Sequence, residues 1–191
     1  YGRMIPEDLE QKIYQCKHNG EFPILVNATL GTTVFGTFDP INEISEICER
    51  NKIWLHADAC LGGSMFFLEE FRQKVKEGIS KADSLAWDPH KVLSVPMQCS
   101  LFVTRHKNIL LDCNSLGADY LFMKDKVIYD AKIWDKGDQS IQCGRHIDVL
   151  KLWMYWKAYG TQGIALKLRT ALDNARHLAA LANSHPNFEL I

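Results

Sequence analysis

The sequence lacks the features that mark several large classes of protein. No apolar run approaches the roughly 20 residues that a membrane-spanning helix requires. The 22 Lys and Arg residues balance 23 Asp and Glu residues, the net charge is −1, and charges of one sign form no block. These absences argue against a basic surface for nucleic acid or for a membrane. We therefore expect neither as a partner.

Paired cysteine motifs are also missing. The six cysteines are scattered with no CxxC pair, at Cys16, Cys48, Cys60, Cys99, Cys113 and Cys143. In a chain of this length that pattern indicates reduced thiols and a cytoplasmic protein. We expect the last three to be small buried hydrophobic residues. The opening "YGRMIPEDLE" has no leader character and the end "HPNFELI" stops in a strand-like run, so we expect an internal fragment of a longer protein.

What is present is an ordinary globular composition with a regular alternation of elements. Hydrophobic residues make up 47% and charged residues 24% of the 191 residues, which suits one domain or most of one. Short apolar runs predict strands at 22–29, 52–59, 82–87 and 98–105, and apolar periodicity predicts helices at 6–19, 40–51 and 66–78. Connections too long for hairpins favour a parallel α/β sheet, with the first strand buried on both faces.

The last part of the chain has a different pattern. Residues 114–142 have weak periodicity and predict a long loop of functional importance. Two helical segments follow from residue 146, broken near Gly160 and Gly163. The second segment carries an apolar stripe of Leu168, Leu172, Ala175, Leu178 and Leu181.

Polar side chains follow three of the predicted strands. Ligands bind at the carboxyl ends of parallel strands, so these ends are candidates for a binding crevice. One strand ends at Thr29, the next in "HADAC" and the third in "WDPHK". If the three strands are neighbours, one crevice contains Thr29, His56, Asp58, Asp88, His90 and Lys91.

In "HADAC", alternation along a strand places His56, Asp58 and Cys60 on one face. An aspartate at the end of a buried strand is costly to ionise without compensation. Either Asp58 caps the following turn through backbone N–H groups, or it faces a cation. A single zinc ion does not fit, because the three side chains spread over roughly 13 Å along a strand. We expect no metal site.

Lys91 follows a strand, a proline and a histidine, which is unusual for a solvated lysine. One interpretation is a surface lysine after a turn. The other is an amine in an apolar pocket, where burial lowers its pKa and makes it a nucleophile for an aldehyde. Pyridoxal phosphate is the common aldehyde cofactor, and its pyridinium nitrogen requires an acidic partner. Asp58 is the candidate for that partner.

Five segments carry a resemblance to a known family: "ATLGTTVFGTFDP", "IWLHADACLGG", "ADSLAWDPHK", "YLFMKDK" and "GDQSIQCGRHIDVLKLWMYWKAYGT". The chain resembles the pyridoxal-phosphate-dependent amino-acid decarboxylases of the glutamate and cysteine sulfinate branch, over essentially its whole length. The resemblance implies a fold-type I large domain, a mostly parallel sheet with helices on both faces. Residues 1–145 would be its C-terminal part, including a catalytic loop at about 114–142. Residues 146–191 would connect to a small C-terminal domain.

The resemblance also implies roles for individual residues. Lys91 binds the cofactor covalently, and Asp58 pairs with the pyridine nitrogen. His90 and the residue two before it, Asp88, hold the phosphate. The cofactor ring is contacted by Thr29 and by the residue at the position of Cys60.

A mobile loop completes the implied catalytic machinery. Tyr129, in "VIYDAK", matches a loop tyrosine that returns a proton to Cα after CO₂ leaves. Such loops close over the site across a dimer interface, which implies a homodimer with the active site between subunits.

Several positions depart from the family pattern. Asp88 replaces the usual Asn of NPHK, and an ionised aspartate repels a phosphate. Cys60 replaces a small Ala that packs against the ring, and Leu61 replaces an aromatic residue. Residues 126–138 form a stretch about two residues longer than typical, with Lys136 in place of Thr. A catalytically degenerate paralogue that serves as a dimeric scaffold is therefore an alternative.

The implied reaction is α-decarboxylation of a small acidic amino acid. Cysteine sulfinate, giving hypotaurine, is the first expected substrate, followed by glutamate, giving GABA, and aspartate, giving β-alanine. A second alternative is a decarboxylation coupled to oxidation that yields an aldehyde. We expect the fragment alone to be inactive, since the segments that complete the site lie outside it.

Overall fold

The structure is a computed structural model that describes residues 2–115, 137–142 and 144–190. Residues 2–103 and 148–190 form one compact unit, and the described residues between 104 and 147 form a second. The second unit contains helix α5 (Ile109–Asn114) and a short 3₁₀ helix (Gly137–Gln139). No helix in the described part of the chain has the length and apolar character needed to cross a membrane.

A four-stranded sheet organises the first unit. Its strands are β1 (Leu25–Thr29), β2 (Trp54–Asp58), β3 (Ser84–Trp87) and β4 (Leu101–Thr104), in the order β1-β2-β3-β4. The pairs β1–β2 and β2–β3 are parallel, with Thr29 opposite Asp58 and Asp58 opposite Ala86. The predicted α/β fold is confirmed, and the three strand ends that carry polar residues are neighbours.

Helices connect the strands. They are α1 (Pro6–His18), α2 (Ile41–Asn51), α3 (Glu69–Lys81), the one-turn α4 (Pro89–Val92) and the long α6 (Asp148–Ser184), with a 3₁₀ helix at Gly62–Phe67. Local signals explain their ends. Pro6 occupies the first turn of α1, where its missing N–H costs nothing. Helix α2 ends where Lys52 adopts a left-handed conformation (φ 56°).

Two predicted elements differ in the structure. The first strand is not buried on both faces: Val26 and Ala28 are buried, whereas Leu25 and Asn27 are exposed. Only one of its faces packs against the core of the helices and β2. The helix predicted at 66–78 is divided, because Leu68 is extended (φ −96°, ψ 125°) and 1% exposed. Burial of Leu68 in the core outweighs continuation of the helix.

Two hydrophobic cores support the site. The first joins the sheet to α1, α2 and α3, through buried residues that include Ile13, Val26, Ile44, Leu55 and Val75. The second lies beneath α4 and the part of α6 from Leu152 to Leu168, and consists of Leu68, Leu93, Val95, Cys99, Leu152, Ile164 and Leu168. Strand β3 contacts both cores, because Leu85 packs against the first and Trp87 against the second.

The long helix α6 uses only part of its predicted apolar stripe. It has one break, at Gly160 (φ 64°, ψ 171°), and continues through Gly163. Leu168 is 2% exposed, but Leu178 is 67% exposed. The apolar stripe is therefore buried in the core at Leu168 and exposed to solvent at Leu178.

Several sequence predictions concern the second unit or positions beyond the described residues. Cys99 is buried as predicted, but Cys113 is exposed, so the prediction for Cys113 was wrong. Cys143, Tyr129 and Lys136 lie outside the described residues, as does most of the predicted catalytic loop. The domain boundary at 145/146 stays a prediction.

Candidate functional site at the carboxyl ends of three strands

Backbone hydrogen bonds hold the three strand ends side by side. The N–H of Leu30 donates to the carbonyl of Asp58 at 2.8 Å, and the N–H of Ala59 donates to Ala86 at 2.9 Å. One step further, the N–H of Asp88 approaches the carbonyl of Cys60 at 3.3 Å. The ladder therefore extends past the strands and brings the polar residues after β1, β2 and β3 to one edge of the sheet.

A tight turn after β2 allows this close approach. The N–H of Gly62 donates to the carbonyl of Leu30 at 2.9 Å, and a Cβ at Gly62 would collide with that carbonyl. At Gly63 a Cβ would lie 2.7 Å from Cδ1 of Trp87. Glycines at both positions are thus required by packing of the turn against its neighbours.

Asp58 and Cys60 interact with each other at this edge. The carboxylate of Asp58 accepts the N–H of Cys60 at 3.1 Å, so the capping role suggested by the sequence is present. The Cys60 thiol lies near the carboxylates of both Asp58 and Asp88. Burial first, and then these two carboxylates, raise the pKa of Cys60 to about 12. The thiol is therefore protonated at neutral pH, beside the two aspartates.

Asp88 and Lys91 form an ion pair. The Nζ of Lys91 lies 2.9 Å from Oδ2 of Asp88, with the lysine side chain 39% and the aspartate side chain 12% exposed. Burial would raise the pKa of Asp88, but hydrogen bonds with Lys91, Ser100 and Cys60 outweigh it and lower that pKa. The hydrogen bond with Asp88 is the main reason why the pKa of Lys91 is raised.

This pair corrects one sequence expectation. Burial was expected to lower the pKa of Lys91, but its half-exposed amine loses little hydration and gains an anionic partner, so the pKa rises instead. The charge of Asp58 acts on Lys91 in the same direction. Asp58, Cys60, Asp88 and Lys91 therefore form one electrostatically coupled group, which we call the strand-end cluster.

Thr29 is fixed by a residue that the sequence did not single out. The carboxylate of Asp39 accepts the N–H of Thr29 at 2.7 Å and the N–H of Met4 at 2.7 Å, and the N–H of Asp39 donates to the carbonyl of Thr29 at 2.9 Å. Asp39 is buried. Its sequence signal is an Asp-Pro pair directly before the helix predicted at 40–51, a pattern typical of a helix start.

The two histidines contact other groups. Nδ1 of His90 lies 2.7 Å from the carbonyl oxygen of Cys99, which orients the ring toward the segment before β4. Nδ1 of His56 lies 2.8 Å from Oγ of Ser84, and burial lowers the pKa of His56 although the charge of Asp58 opposes this. Among the described residues, the hydrogen-bond partner of the His90 ring is Cys99 and not a member of the strand-end cluster.

Comparisons with known proteins identify relatives of the chain. Residues 1–191 match the model of the pyridoxal-dependent decarboxylase conserved domain. Mouse CSAD in its apo form is 41% identical over 100% of the chain, with a TM-score of 0.90. Rhodiola rosea 4-hydroxyphenylacetaldehyde synthase is 25% identical over 99% (TM-score 0.84), and Oryza sativa TDC with PLP and tryptamine is 26% identical over 98% (TM-score 0.90).

The chain is much shorter than these relatives. It spans 39% of mouse CSAD, 37% of the Rhodiola rosea synthase and 38% of Oryza sativa TDC. The likeness covers the sheet, the helices and the strand-end cluster.

Proposed function

Because the chain belongs to the pyridoxal-dependent decarboxylase family, we propose that the full-length protein is a carboxy-lyase that removes the α-carboxyl group of a small acidic amino acid. The observation that carries this proposal is the strand-end cluster. Lys91 supplies an amine and Asp58 a carboxylate, both at the carboxyl edge of a parallel sheet where ligands of α/β proteins bind.

The residues of the strand-end cluster fit pyridoxal phosphate. The family match and a relative that holds PLP confirm this predicted cofactor. The amine of Lys91 is half-exposed and thus accessible to an aldehyde. The carboxylate of Asp58 accepts a backbone N–H through Oδ1, and the second oxygen suits the N–H of a pyridinium ring.

In the proposed mechanism each residue of this chain has a limited task. Pyridoxal phosphate, when bound, supplies an electron sink for the electrons left after loss of CO₂. Lys91 would bind the cofactor through Nζ, and Asp58 would keep a proton on the pyridine nitrogen. Thr29, held by Asp39, would pack beside the ring together with Cys60.

Two further roles rest on the family resemblance. His90 and Asp88 would lie near the phosphate, and Tyr129 would return the proton to Cα. The ionised Asp88 is paired with Lys91, so its charge is partly balanced on the side that faces the amine. The resemblance also supports a homodimer and a cytoplasmic location.

The substrate proposal is supported by the likeness to mouse CSAD, which favours the cysteine sulfinate branch of the resembled family. Cysteine sulfinate is therefore the first candidate, ahead of glutamate and aspartate. A second candidate function is a non-catalytic dimeric scaffold. It is favoured by the Asp88–Lys91 ion pair, which holds the amine in its unreactive charged form.

Covalent labelling of the full-length protein tests the enzyme proposal. Pyridoxal phosphate is added, the adduct is reduced with borohydride, and the labelled peptide is mapped by mass spectrometry. We expect the label on Lys91, and we expect Lys91→Arg to abolish it. Lys76→Arg, an exposed lysine on α3, is the matched control and should label Lys91 normally. A well-folded protein with no label on Lys91 would support the scaffold function.

Product analysis then identifies the reaction and the substrate. CO₂ release is measured with cysteine sulfinate, glutamate, aspartate and, for comparison, tryptophan, together with oxygen uptake. Fastest turnover of cysteine sulfinate without oxygen uptake is the expected result. Preference for tryptophan would contradict the acidic substrate class, and oxygen uptake with an aldehyde product would show the alternative reaction.

A further inference from the structure

The ion pair between Asp88 and Lys91 joins two residues of a single helical turn. Asp88 is the N-terminal cap of α4, and Lys91 is three residues later, so their side chains lie on the same side of the turn. The Nζ–Oδ2 distance of 2.9 Å is that of a charge-assisted hydrogen bond. A largely buried carboxylate is thus the ion-pair partner of the amine.

Neighbouring elements surround the carboxylate. Ser100, before β4, and Cys60, after β2, act on Asp88, and Asp88 as a whole is 8% exposed. In the part of the chain that the structure describes, the titratable groups that act on Lys91 are Asp88, Cys60 and Asp58, and Cys99 is a further group that senses the charge of Asp88. All three groups that act on the amine favour its positive charge.

We propose that Asp88 is a positioning residue that holds the amine of Lys91 in its charged form and thereby restrains its reaction with the cofactor aldehyde. The ion pair itself does not depend on the proposed function, but its consequence for attachment of the cofactor rests on that function. In most members of the resembled family an asparagine occupies this position, and an amide cannot balance a positive charge. The rise of cofactor uptake with pH would therefore lie at higher pH in this protein than with an asparagine at position 88.

The chemical reason is the need for a lone pair. The charged amine must first release a proton to solvent; Nζ then bonds to the carbonyl carbon, and the carbonyl oxygen leaves as water. Because the ion pair raises the pKa of Lys91, the neutral fraction at a given pH below that pKa is smaller than for an unpaired lysine. Uptake should accelerate as the pH rises, and removal of the anion should shift this rise to lower pH.

The test uses the full-length protein and Asp88→Asn, with Asp88→Ser as a second variant should the first fold poorly. Asp8→Asn is the matched control, because Asp8 forms an exposed ion pair with Lys12 at 3.1 Å on α1 and is not among the groups that act on Lys91. Trace acetylation with acetic anhydride, which modifies only neutral amines, is measured for each lysine between pH 7 and 11 by mass spectrometry. The rate of pyridoxal phosphate attachment is followed separately by borohydride trapping.

We expect Asp88→Asn to increase acetylation of Lys91 at pH 8 by about two- to fivefold, the effect of a partly exposed ion pair, and to increase the attachment rate similarly. Asp8→Asn should leave Lys91 unchanged. An unchanged acetylation profile in both Asp88 variants would overturn the inference. Increased acetylation with no cofactor label on Lys91 in any variant would support the inference and contradict the proposed function.

Discussion

At the residue scale, the thiol of Cys60 is affected by both carboxylates of the site. Burial, Asp58 and Asp88 raise its pKa to about 12. A cysteine in a candidate active site is often interpreted as a nucleophile, but a nucleophilic cysteine requires a lowered pKa. Cys60 is therefore a protonated thiol in this site rather than a reactive group.

Alkylation tests this interpretation. With iodoacetamide at pH 8, we expect the exposed Cys113 to react at least about a hundredfold faster than Cys60, because only the thiolate is nucleophilic. Reaction of Cys60 should keep increasing above pH 10, where an ordinary thiol with a pKa of about 8.5 has levelled off. Rates are measured by peptide mass spectrometry, and in urea the two cysteines should react alike. Similar rates in the folded protein would contradict the raised pKa.

At the element scale, helices α2 and α3 approach each other closely in the core that packs against the sheet. The N–H of Gly78 on α3 donates to Oδ1 of Asn42 at 2.8 Å, and Oγ of Ser45 donates to the carbonyl of Asn42 at 2.6 Å. A Cβ at Gly78 would lie 2.5 Å from the carbonyl oxygen of Ile41. The glycine therefore decides how near the start of α2 can approach α3.

Two glycine-to-alanine substitutions in helices should have opposite effects. Alanine stabilises a helix by up to about 1 kcal/mol relative to glycine. At Gly163, where a Cβ would meet Cβ of Tyr159 at 3.4 Å, we expect that gain to be retained at least in part. At Gly78 the backbone of α2 cannot yield, and we expect a net loss of about 1–3 kcal/mol. The free energies of unfolding in urea decide this, and equal effects would contradict the described packing.

Element boundaries show where local sequence signals are sufficient. Helix α1 begins at Pro6 as its proline and first-turn acids predict, and α2 ends at Asn51 as predicted. The helix expected at 66–78 was divided because Leu68 is required by the second core, a contact that no local pattern reveals. The prediction that both faces of β1 are buried was wrong for the same reason, because burial depends on which neighbours cover each face of the strand.

At the scale of the whole molecule, the described residues form two cores, and β3 contacts the first through Leu85 and the second through Trp87. Helix α6 contributes Leu152, Ile164 and Leu168 to the second core, whereas Leu178 and Leu181 further along are exposed. The strand-end cluster lies where β3 leads into α4, and α4 rests on the second core through Leu93. Stability of that core is thus linked to the position of Lys91.

Two leucines of the apolar stripe of α6 should differ in their contribution to stability. Leu168→Ala removes a side chain that is 2% exposed, and we expect a loss of about 2–4 kcal/mol. Leu178→Ala, at a residue that is 67% exposed, should cost less than about 0.5 kcal/mol. Thermal and urea unfolding of the 191-residue chain provide the measurement. A large loss from Leu178→Ala would show that the second half of α6 packs against another segment or another copy.

The sequence by itself determined the alternation of strands and helices, the polar residues at the strand ends and the likeness of its motifs to one family of decarboxylases. Strands, helices and motifs depend on residues that are close together in the sequence. Periodicity and motif spacing are therefore sufficient to predict them. Asp58 and Lys91 could be named as the candidate pair on that basis alone.

Only the tertiary structure decided the electrostatics of the site and the contacts that hold it. Asp39 fixes Thr29 from 10 residues away, and Asp58 and Asp88, which follow different strands, both raise the pKa of Cys60. The direction of the pKa change at Lys91 depended on its exposure and on a partner's position, neither of which a sequence states. Interactions of this kind vary steeply with distance and burial, so they become known only when the chain is folded.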